Sequence, residues 1–214
     1  MRLFWLGVVC AVLAGCASTK RVEPQGFSME ERAKVDAVLV PLISASGICG
    51  GQSRCPIGLG VRPIPRIEIA VGPNPPNVFG LTITAGALRS LAPAELQAAL
   101  AHELGHVELG HLASREARRQ AERSVAASPK GDAEAALRRN RAYDREEEYA
   151  ADRYAVALLD RLTAKPGRGC PEVLLLLERL DLEQLSPGWS NWLSTHPTPA
   201  ARLQALETGC GRKP

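Results

Sequence analysis

The sequence predicts an α+β fold that is mostly helical and carries a small β-sheet. Long stretches with helical apolar spacing fill the chain after residue 93, whereas period-two alternation is confined to two short segments before it. A hydrophobic fraction of 45% with 23% charged residues is typical of a folded globular protein. Most of the 214 residues should therefore belong to one domain.

The composition argues against two functional classes. Lys+Arg totals 26 and Asp+Glu totals 23, so the formal charge of +3 is too close to neutral for a strong nucleic-acid footprint. No apolar run reaches the roughly 18 residues that a spanning helix needs, which argues against a multi-span membrane protein. We expect no nucleic-acid partner.

The first 15 residues have the pattern of a secretory signal peptide, with Arg2 before an apolar stretch that is too short to span a membrane. Residues 13–16, Leu-Ala-Gly-Cys, resemble the lipobox of bacterial lipoproteins, in which the cysteine becomes the lipidated first residue. The alternative is a secreted protein cut nearby, with Cys16 as an ordinary thiol. In lipoproteins Asp after the cysteine favours the inner membrane, so Ala17 points to the outer membrane, facing the periplasm.

This interpretation divides the chain into a signal peptide (1–15), a lipidated tether (16–27) and a folded domain (28–214). Four cysteines remain in the domain: Cys49, Cys55, Cys170 and Cys210. An even number in an oxidising compartment predicts two disulfides, with three possible connectivities. We favour a bridge between Cys49 and Cys55, across the short Gly-rich loop, and a second between Cys170 and Cys210, which would hold the C-terminal tail. A zinc ribbon is the rival, but the spacings contain no Cys-x-x-Cys pair.

The N-terminal half of the domain is predicted to hold one helix and two strands. Ser28 and Glu31 form a capping-box pattern ahead of helical apolar spacing over 29–44. Residues 45–65 are expected to form a loop. Alternation then predicts two strands around a turn rich in Pro and Asn, at 66–71 and 78–84.

The C-terminal half is predicted to be helical. Pro93 suits the first turn of a helix, which the pattern continues without a break to about residue 121. After a Pro- and Gly-containing break, three more helices are predicted, with a loop over 186–197 before the last: 133–162, 172–183 and 199–207.

Residues 102–106 read His-Glu-Leu-Gly-His and lie on the first of these helices. Because positions i and i+4 share one helix face, His102 and His106 can bind a single zinc ion. Glu103 can then act as the general base on a water molecule. The competing interpretation is a solvated helix face on which this spacing arose by chance.

A catalytic zinc ion needs a third protein ligand and an open position. His111 follows His106 by five residues, which on a continuous helix turns it away from the two ligands. The next long helix offers three adjacent carboxylates, and spacing alone does not choose among them: Glu146, Glu147 and Glu148.

The pair of segments 102–106 and 148–152 (Glu-Tyr-Ala-Ala-Asp) resembles the zinc metallopeptidase family of the HtpX heat-shock peptidase and the CaaX prenyl endopeptidases. The resemblance implies a zincin-like domain with its sheet beside the active helix and one zinc ion per chain. It also implies that Glu148 is the third ligand and that Asp152 orients a zinc-binding histidine, as a carboxylate partner commonly does. Glu146 and Glu147 are then interpreted as a solvated helix face.

Two further segments resemble the same family. Residues Asn77, Val78 and Phe79 resemble its Asn-Ala-Phe strand, with Val78 in place of the usual Ala. This resemblance implies that strand 78–84 is the edge where an extended peptide binds by strand addition. His196 and Arg202 match its HP-x-x-x-x-R element.

A metallopeptidase needs a donor for the oxyanion, and four residues are candidates for that role. His196 and Arg202 rank ahead of Tyr149 and Tyr154 because of the family match. For His196 two other roles stay open: a fourth metal ligand that latches the site, or a purely structural residue of its loop.

The transmembrane helices of the HtpX and CaaX members are missing, so the chain resembles a periplasmic, lipid-anchored branch. The leading hypothesis is a zinc endopeptidase that hydrolyses misfolded or misassembled envelope proteins. One alternative is a metal-binding chaperone-like or assembly-factor lipoprotein with little turnover, and another is a structural lipoprotein with a vestigial site. The expected partners are protein or peptide substrates and the membrane, through the lipid anchor.

Overall fold

The computed structural model describes residues 26–50, 56–75, 77–125, 130–183 and 197–211. Three strands and seven helices occur within these ranges. In chain order they are α1 (Met29–Ser46), β1 (Ile57–Arg62), β2 (Ile69–Gly72), β3 (Phe79–Thr84), α2 (Ala85–Ser90), α3 (Pro93–Glu108), α4 (His111–Val125), α5 (Lys130–Thr163), α6 (Gly169–Glu183) and α7 (Pro199–Gly209). This architecture confirms the predicted α+β class.

The sheet has the strand order β1-β3-β2, with β1 parallel and β2 antiparallel to β3. The prediction that strand 78–84 is an edge is therefore wrong, because β3 is hydrogen-bonded on both sides. Strand β1 lies within residues 45–65, for which the content of Gly, Pro and cysteine predicts a loop, so that prediction is wrong for residues 57–62. The strand forms because pairing with β3, in the register Ile57↔Phe79, satisfies its backbone groups.

Helix α3 lies at the centre of the fold and contacts α1, α5, α6 and β2. Pro93 occupies its first turn, where the missing N–H would have no helical partner. Leu96, Leu100 and Leu104 recur at a spacing of four and are at most 1% exposed, so they form its core face. The remaining surface of α3 is thereby free to carry polar residues toward the sheet and α5.

Gly105 allows α3 and α5 to approach closely. A Cβ atom at this position would lie 3.1 Å from the Cα of Ala151 and 3.2 Å from its carbonyl oxygen. Even a methyl side chain would require the Ala151 backbone to move by a few tenths of an ångström. The glycine of the His-Glu-Leu-Gly-His segment thus sets the distance at which side chains from α5 reach those of α3.

The helix predicted to run from Pro93 to about residue 121 is broken, so that prediction is wrong. Helix α3 ends at Glu108, and α4 begins at His111. Gly110 between them adopts the left-handed conformation, with φ of 72°. Glycine takes this conformation without the steric cost that a Cβ brings, and it commonly ends helices this way.

The other predicted helices are confirmed with shifted ends. The capping box at Ser28 and Glu31 is present, and α1 runs two residues beyond the predicted end, to Ser46. Helices α5 and α6 each begin three residues earlier than predicted, and α7 ends at Gly209. The short helix α2 was not predicted; the Thr84 hydroxyl caps it by accepting from the Ala87 N–H at 3.2 Å.

A disulfide between Cys170 and Cys210 joins the start of α6 to the end of α7, with 6.1 Å between the Cα atoms. This is the bridge expected at the C-terminal tail. Cys49 is also disulfide-bonded, and Cys55 lies outside the described residues.

Helix α5 is the longest, with 34 residues, and it is rich in Arg, Glu and Asp. Within the part of the chain that the structure describes, no helix is both long and apolar enough to cross a membrane.

We expect Gly110→Ala to lower the free energy of unfolding by about 1–2 kcal/mol, the cost of a Cβ in the left-handed region. No atom lies within 4 Å of the added Cβ, so the effect would be backbone strain alone. Gly209→Ala is the matched control, since that site is equally open but lies in a helix without a positive φ. Urea denaturation measures both, and equal losses in the two variants would contradict the explanation.

Candidate metal centre

Three side chains from α3 and α5 converge on one point. His102 and His106 lie one turn apart on α3, and their Nε2 atoms are 3.1 Å apart. Each Nε2 atom is 3.3 Å from an oxygen of Glu148 on α5. All three residues are buried, and within the described residues they form the one group of this size that could hold a metal ion.

The geometry of this group fits zinc. A tetrahedral ion with bonds of about 2.0–2.1 Å holds its ligand atoms about 3.3–3.4 Å apart. The separations of 3.1 and 3.3 Å come close to that spacing. Two imidazoles and one carboxylate also form a donor set that is typical of catalytic zinc sites.

The ionisation of two of the three candidate ligands suits a cation as well, and His102 is the exception. Burial alone would lower the pKa of His102, but its contacts with Asp152 and Glu148 raise it to about 9, so a proton must leave this ring before it can bind a metal ion. Burial lowers the pKa of His106 to about 3, so its imidazole is neutral and offers a lone pair. Burial alone would raise the pKa of Glu148, but hydrogen bonds to His102 and His106 hold it well below its usual range. Glu148 therefore carries a negative charge at the centre.

Glu103 lies between the metal-ligating group and the sheet. Its Oε2 atom accepts a hydrogen bond from the Val71 N–H of β2 at 3.0 Å. Burial raises the pKa of Glu103 to about 7, and a bound cation would lower this value because it favours the carboxylate. The carboxylate is thus held at the site by the backbone of β2.

His102 has a second partner on the side away from Glu148. Its Nδ1 atom is 2.9 Å from Asp152 Oδ1, the contact that the family resemblance implies. Arg202 of α7 donates two hydrogen bonds to Asp152, at 2.6 and 2.9 Å. Burial alone would raise the pKa of Asp152, but the Arg202 charge lowers it to about 2.

Arg202 is 3% exposed, and it donates to Asp152, the carboxylate that contacts the candidate ligand His102. Its Nη1 atom also lies 3.5 Å from Glu148 Oε2. Arg202 therefore supplies positive charge beside the centre while two of its donors are directed at Asp152. The tyrosine candidates Tyr149 and Tyr154 are not among the residues that line the cleft.

His111 is the first residue that the sequence reasoning missed. The sequence predicts that it points away from the ligands, but its Nδ1 atom lies 2.8 Å from His106 Nδ1, and the residue is 8% exposed. The break at Gly110 turns α4 back toward the site, so the assumption of a continuous helix gave the wrong direction. Glycine after a helical pattern is the sequence signal that marks such an end.

The interpretation of Glu147 as part of a solvated helix face is wrong. Glu147 is 9% exposed and accepts hydrogen bonds from Ser114, Arg115 and Arg118 of α4. Arg115 also donates to Glu148 Oε1 at 2.7 Å. Because α4 folds back on α5, these carboxylates face cations rather than solvent; Glu146 is exposed, as expected.

The cleft beside the centre has a volume of about 270 Å³. It is lined by residues 69–71 of strand β2 and by His102, Glu103 and His106 of α3. Leu176 and Leu180 of α6 add an apolar wall, and Arg115 and Arg119 of α4 add positive charge. The cleft thus offers both a backbone edge and an apolar surface to a ligand.

The residues predicted to bind substrate lie elsewhere. Phe79 is fully buried in the core, and Val78 is 51% exposed at the start of the central strand. Neither they nor Asn77 line the cleft. The edge that faces the centre is β2, because Val71 reaches Glu103.

Two further predicted residues, Cys16 and His196, lie outside the described residues. Lipidation of Cys16 and the three roles weighed for His196 stay predictions.

Glu148→Gln should reduce zinc affinity by more than the roughly 10–100-fold that loss of an outer partner costs, because it removes a charged ligand. Glu146→Gln is the matched control on the exposed side of the same helix. Metal content after dialysis, together with circular dichroism of the chelated proteins, separates ligand loss from misfolding. Equal retention of zinc by both variants would exclude Glu148 as a ligand.

A family model for peptidase family M48 matches residues 80–209, which is more than half of the 214 residues. The matched range contains the two histidines and Glu103, and also Glu148, Asp152 and Arg202. Searches of curated proteins and of solved structures give no match. This chain therefore belongs to peptidase family M48, the metallopeptidase family of HtpX and the CaaX prenyl endopeptidases that its motifs resemble.

Proposed function

We propose that this protein is a zinc-dependent endopeptidase of the bacterial cell envelope, acting on misfolded or misassembled proteins. The observation that carries the proposal is the placement of Glu103 between the group of His102, His106 and Glu148 and the edge strand β2. This arrangement puts a general base, a metal-binding group and a peptide-binding edge within one cleft.

His102, His106 and Glu148 would hold the zinc ion, in keeping with the zinc dependence of M48 peptidases. When bound, zinc supplies Lewis-acid chemistry, lowering the pKa of water and polarising a carbonyl. Asp152 fixes His102 in the orientation that points its Nε2 at the group. Arg202 keeps Asp152 ionised and in place.

Glu103 is the proposed general base. Its carboxylate accepts the proton of the attacking water and can return it to the leaving amine. The Val71 N–H holds Glu103 Oε2, which leaves Oε1 for the proton transfer. A carboxylate positioned by the backbone needs no reorganisation before it acts.

Strand β2 is the proposed binding edge for substrate. Glu68 accepts from the Thr84 N–H on the β3 side, so by the alternation of antiparallel pairs Ile69 and Val71 direct their backbone groups outward. Because the Val71 N–H already donates to Glu103, a peptide would pair with the backbone groups of Ile69 and with the Val71 carbonyl. An extended peptide can add to this edge through main-chain hydrogen bonds. Recognition of this kind reads backbone rather than side chains, which suits unfolded chains as substrates.

Negative charge that develops on the substrate carbonyl oxygen must be stabilised by a hydrogen-bond donor or a positive charge. Arg202 contributes fixed positive charge through its position 3.5 Å from Glu148. His196 remains our candidate for the direct donor, on the basis of the family resemblance.

We also propose that the protein is an outer-membrane lipoprotein facing the periplasm. The support is the leader-like start with Leu-Ala-Gly-Cys at 13–16 and Ala17 after the cysteine. The disulfide between Cys170 and Cys210 suits an oxidising compartment.

Glu103→Gln should retain zinc but lower cleavage of unfolded casein by about 10²–10⁴-fold, because an amide cannot accept the proton. Glu108→Gln is the control, an exposed glutamate on the same helix. A chelator should abolish wild-type cleavage and added zinc restore it. Hydrolysis by Glu103→Gln at the wild-type rate would refute the assignment of the base.

Cys16→Ser should move the protein from the membrane fraction to the soluble periplasmic fraction, because it removes the site of lipid attachment. Cys10→Ser changes a cysteine in the same leader and should leave fractionation unchanged. Immunoblotting of separated membranes detects both. Sedimentation of Cys16→Ser with the outer membrane would show that a different anchor is responsible.

A further inference from the structure

Each of the three candidate ligands has an outer partner, and one of these partners is His111. Asp152 contacts His102, Arg115 contacts Glu148, and His111 contacts His106 through the 2.8 Å pair of Nδ1 atoms. We propose that His111 is a positioning residue of the zinc centre, which accepts a hydrogen bond from His106 and fixes the tautomer and orientation of that ring. The inference rests on the proposed zinc site.

The direction of this hydrogen bond follows from the chemistry of imidazole. A neutral imidazole carries one proton, and a nitrogen that binds a metal must offer its lone pair. If His106 Nε2 faces the metal, its proton is on Nδ1. His111 Nδ1 must then be the acceptor, and the proton of His111 is on Nε2.

The structure fixes His111 firmly enough for this role. His111 is the first residue of α4, directly after the break at Gly110. Ser114 and Arg118, farther along the same helix, both donate to Glu147 of α5. Helix α4 is thus hydrogen-bonded to α5, and α3, which carries His106, also packs against α5. The positions of His106 and His111 are therefore fixed relative to the same helix.

A matched pair of variants separates hydrogen bonding from packing. In His111→Asn the side-chain carbonyl can take the place of Nδ1 as acceptor, whereas His111→Leu has nearly the same shape without an acceptor. Both lose the ring equally, so any packing defect is shared. The full-length protein serves for all measurements.

Zinc affinity, measured by competition with a chromophoric chelator, is the main readout. We expect His111→Leu to bind zinc about 10–100-fold more weakly than wild type, and His111→Asn to recover most of that loss. The visible spectrum of the Co²⁺-substituted protein should change in His111→Leu and stay near wild type in His111→Asn. Thermal unfolding with excess chelator should give similar midpoints for the two variants, since neither contains the metal.

The outcomes distinguish this inference from the proposed function. If wild type fails to bind zinc, the zinc centre and the role of His111 both fall. If wild type binds zinc and the two variants match each other in affinity and in the Co²⁺ spectrum, the zinc centre stands and the positioning role is overturned. Nitrogen NMR of His111 that places its proton on Nδ1 in the zinc-loaded protein would also overturn it.

Discussion

The close contact between α3 and α5 at Gly105 and Ala151 is the constraint on which the candidate metal centre depends. The candidate ligands come from both helices, and at this separation the Glu148 carboxylate lies 3.3 Å from the His102 imidazole. Residues 102–106 therefore have two roles: they supply candidate ligands, and at Gly105 they allow α5 to pack closely. Chemistry and packing are set by the same five residues.

Burial of several charges is the second feature of this centre. Glu148 and Asp152 are at most 2% exposed, and such carboxylates are costly unless they are paired and hydrogen-bonded. Arg202 and Arg115 provide that pairing from two different helices. Arg202 and Arg115 therefore do more than orient their partners. They also stabilise the ionised form of Asp152 and Glu148 in the protein interior.

The sequence predicted the parts of the site that are local. His102, Glu103 and His106 follow from helical spacing, whereas the choice of Glu148 over its neighbours needed the family resemblance. The central position of β3 could not be read from its residues, because strand order depends on pairing between distant segments. The prediction for His111 was wrong because the helical periodicity continues through Gly110 and hides the end of α3. The prediction for Glu147 was wrong because its partners lie on α4, which packs against α5 only because the helix ends there.

The bridge between Cys170 and Cys210 connects the fold to the redox state of its surroundings. It spans a separation of 40 residues, and closing a loop of that length lowers the chain entropy of the unfolded state by an amount worth about 4 kcal/mol. This disulfide links the end of helix α7 to α6, and α7 is the helix that carries Arg202 to Asp152. A chain with free thiols would form the Arg202 contact against a greater entropic cost, so oxidation of this cysteine pair favours the arrangement in which Arg202 reaches Asp152.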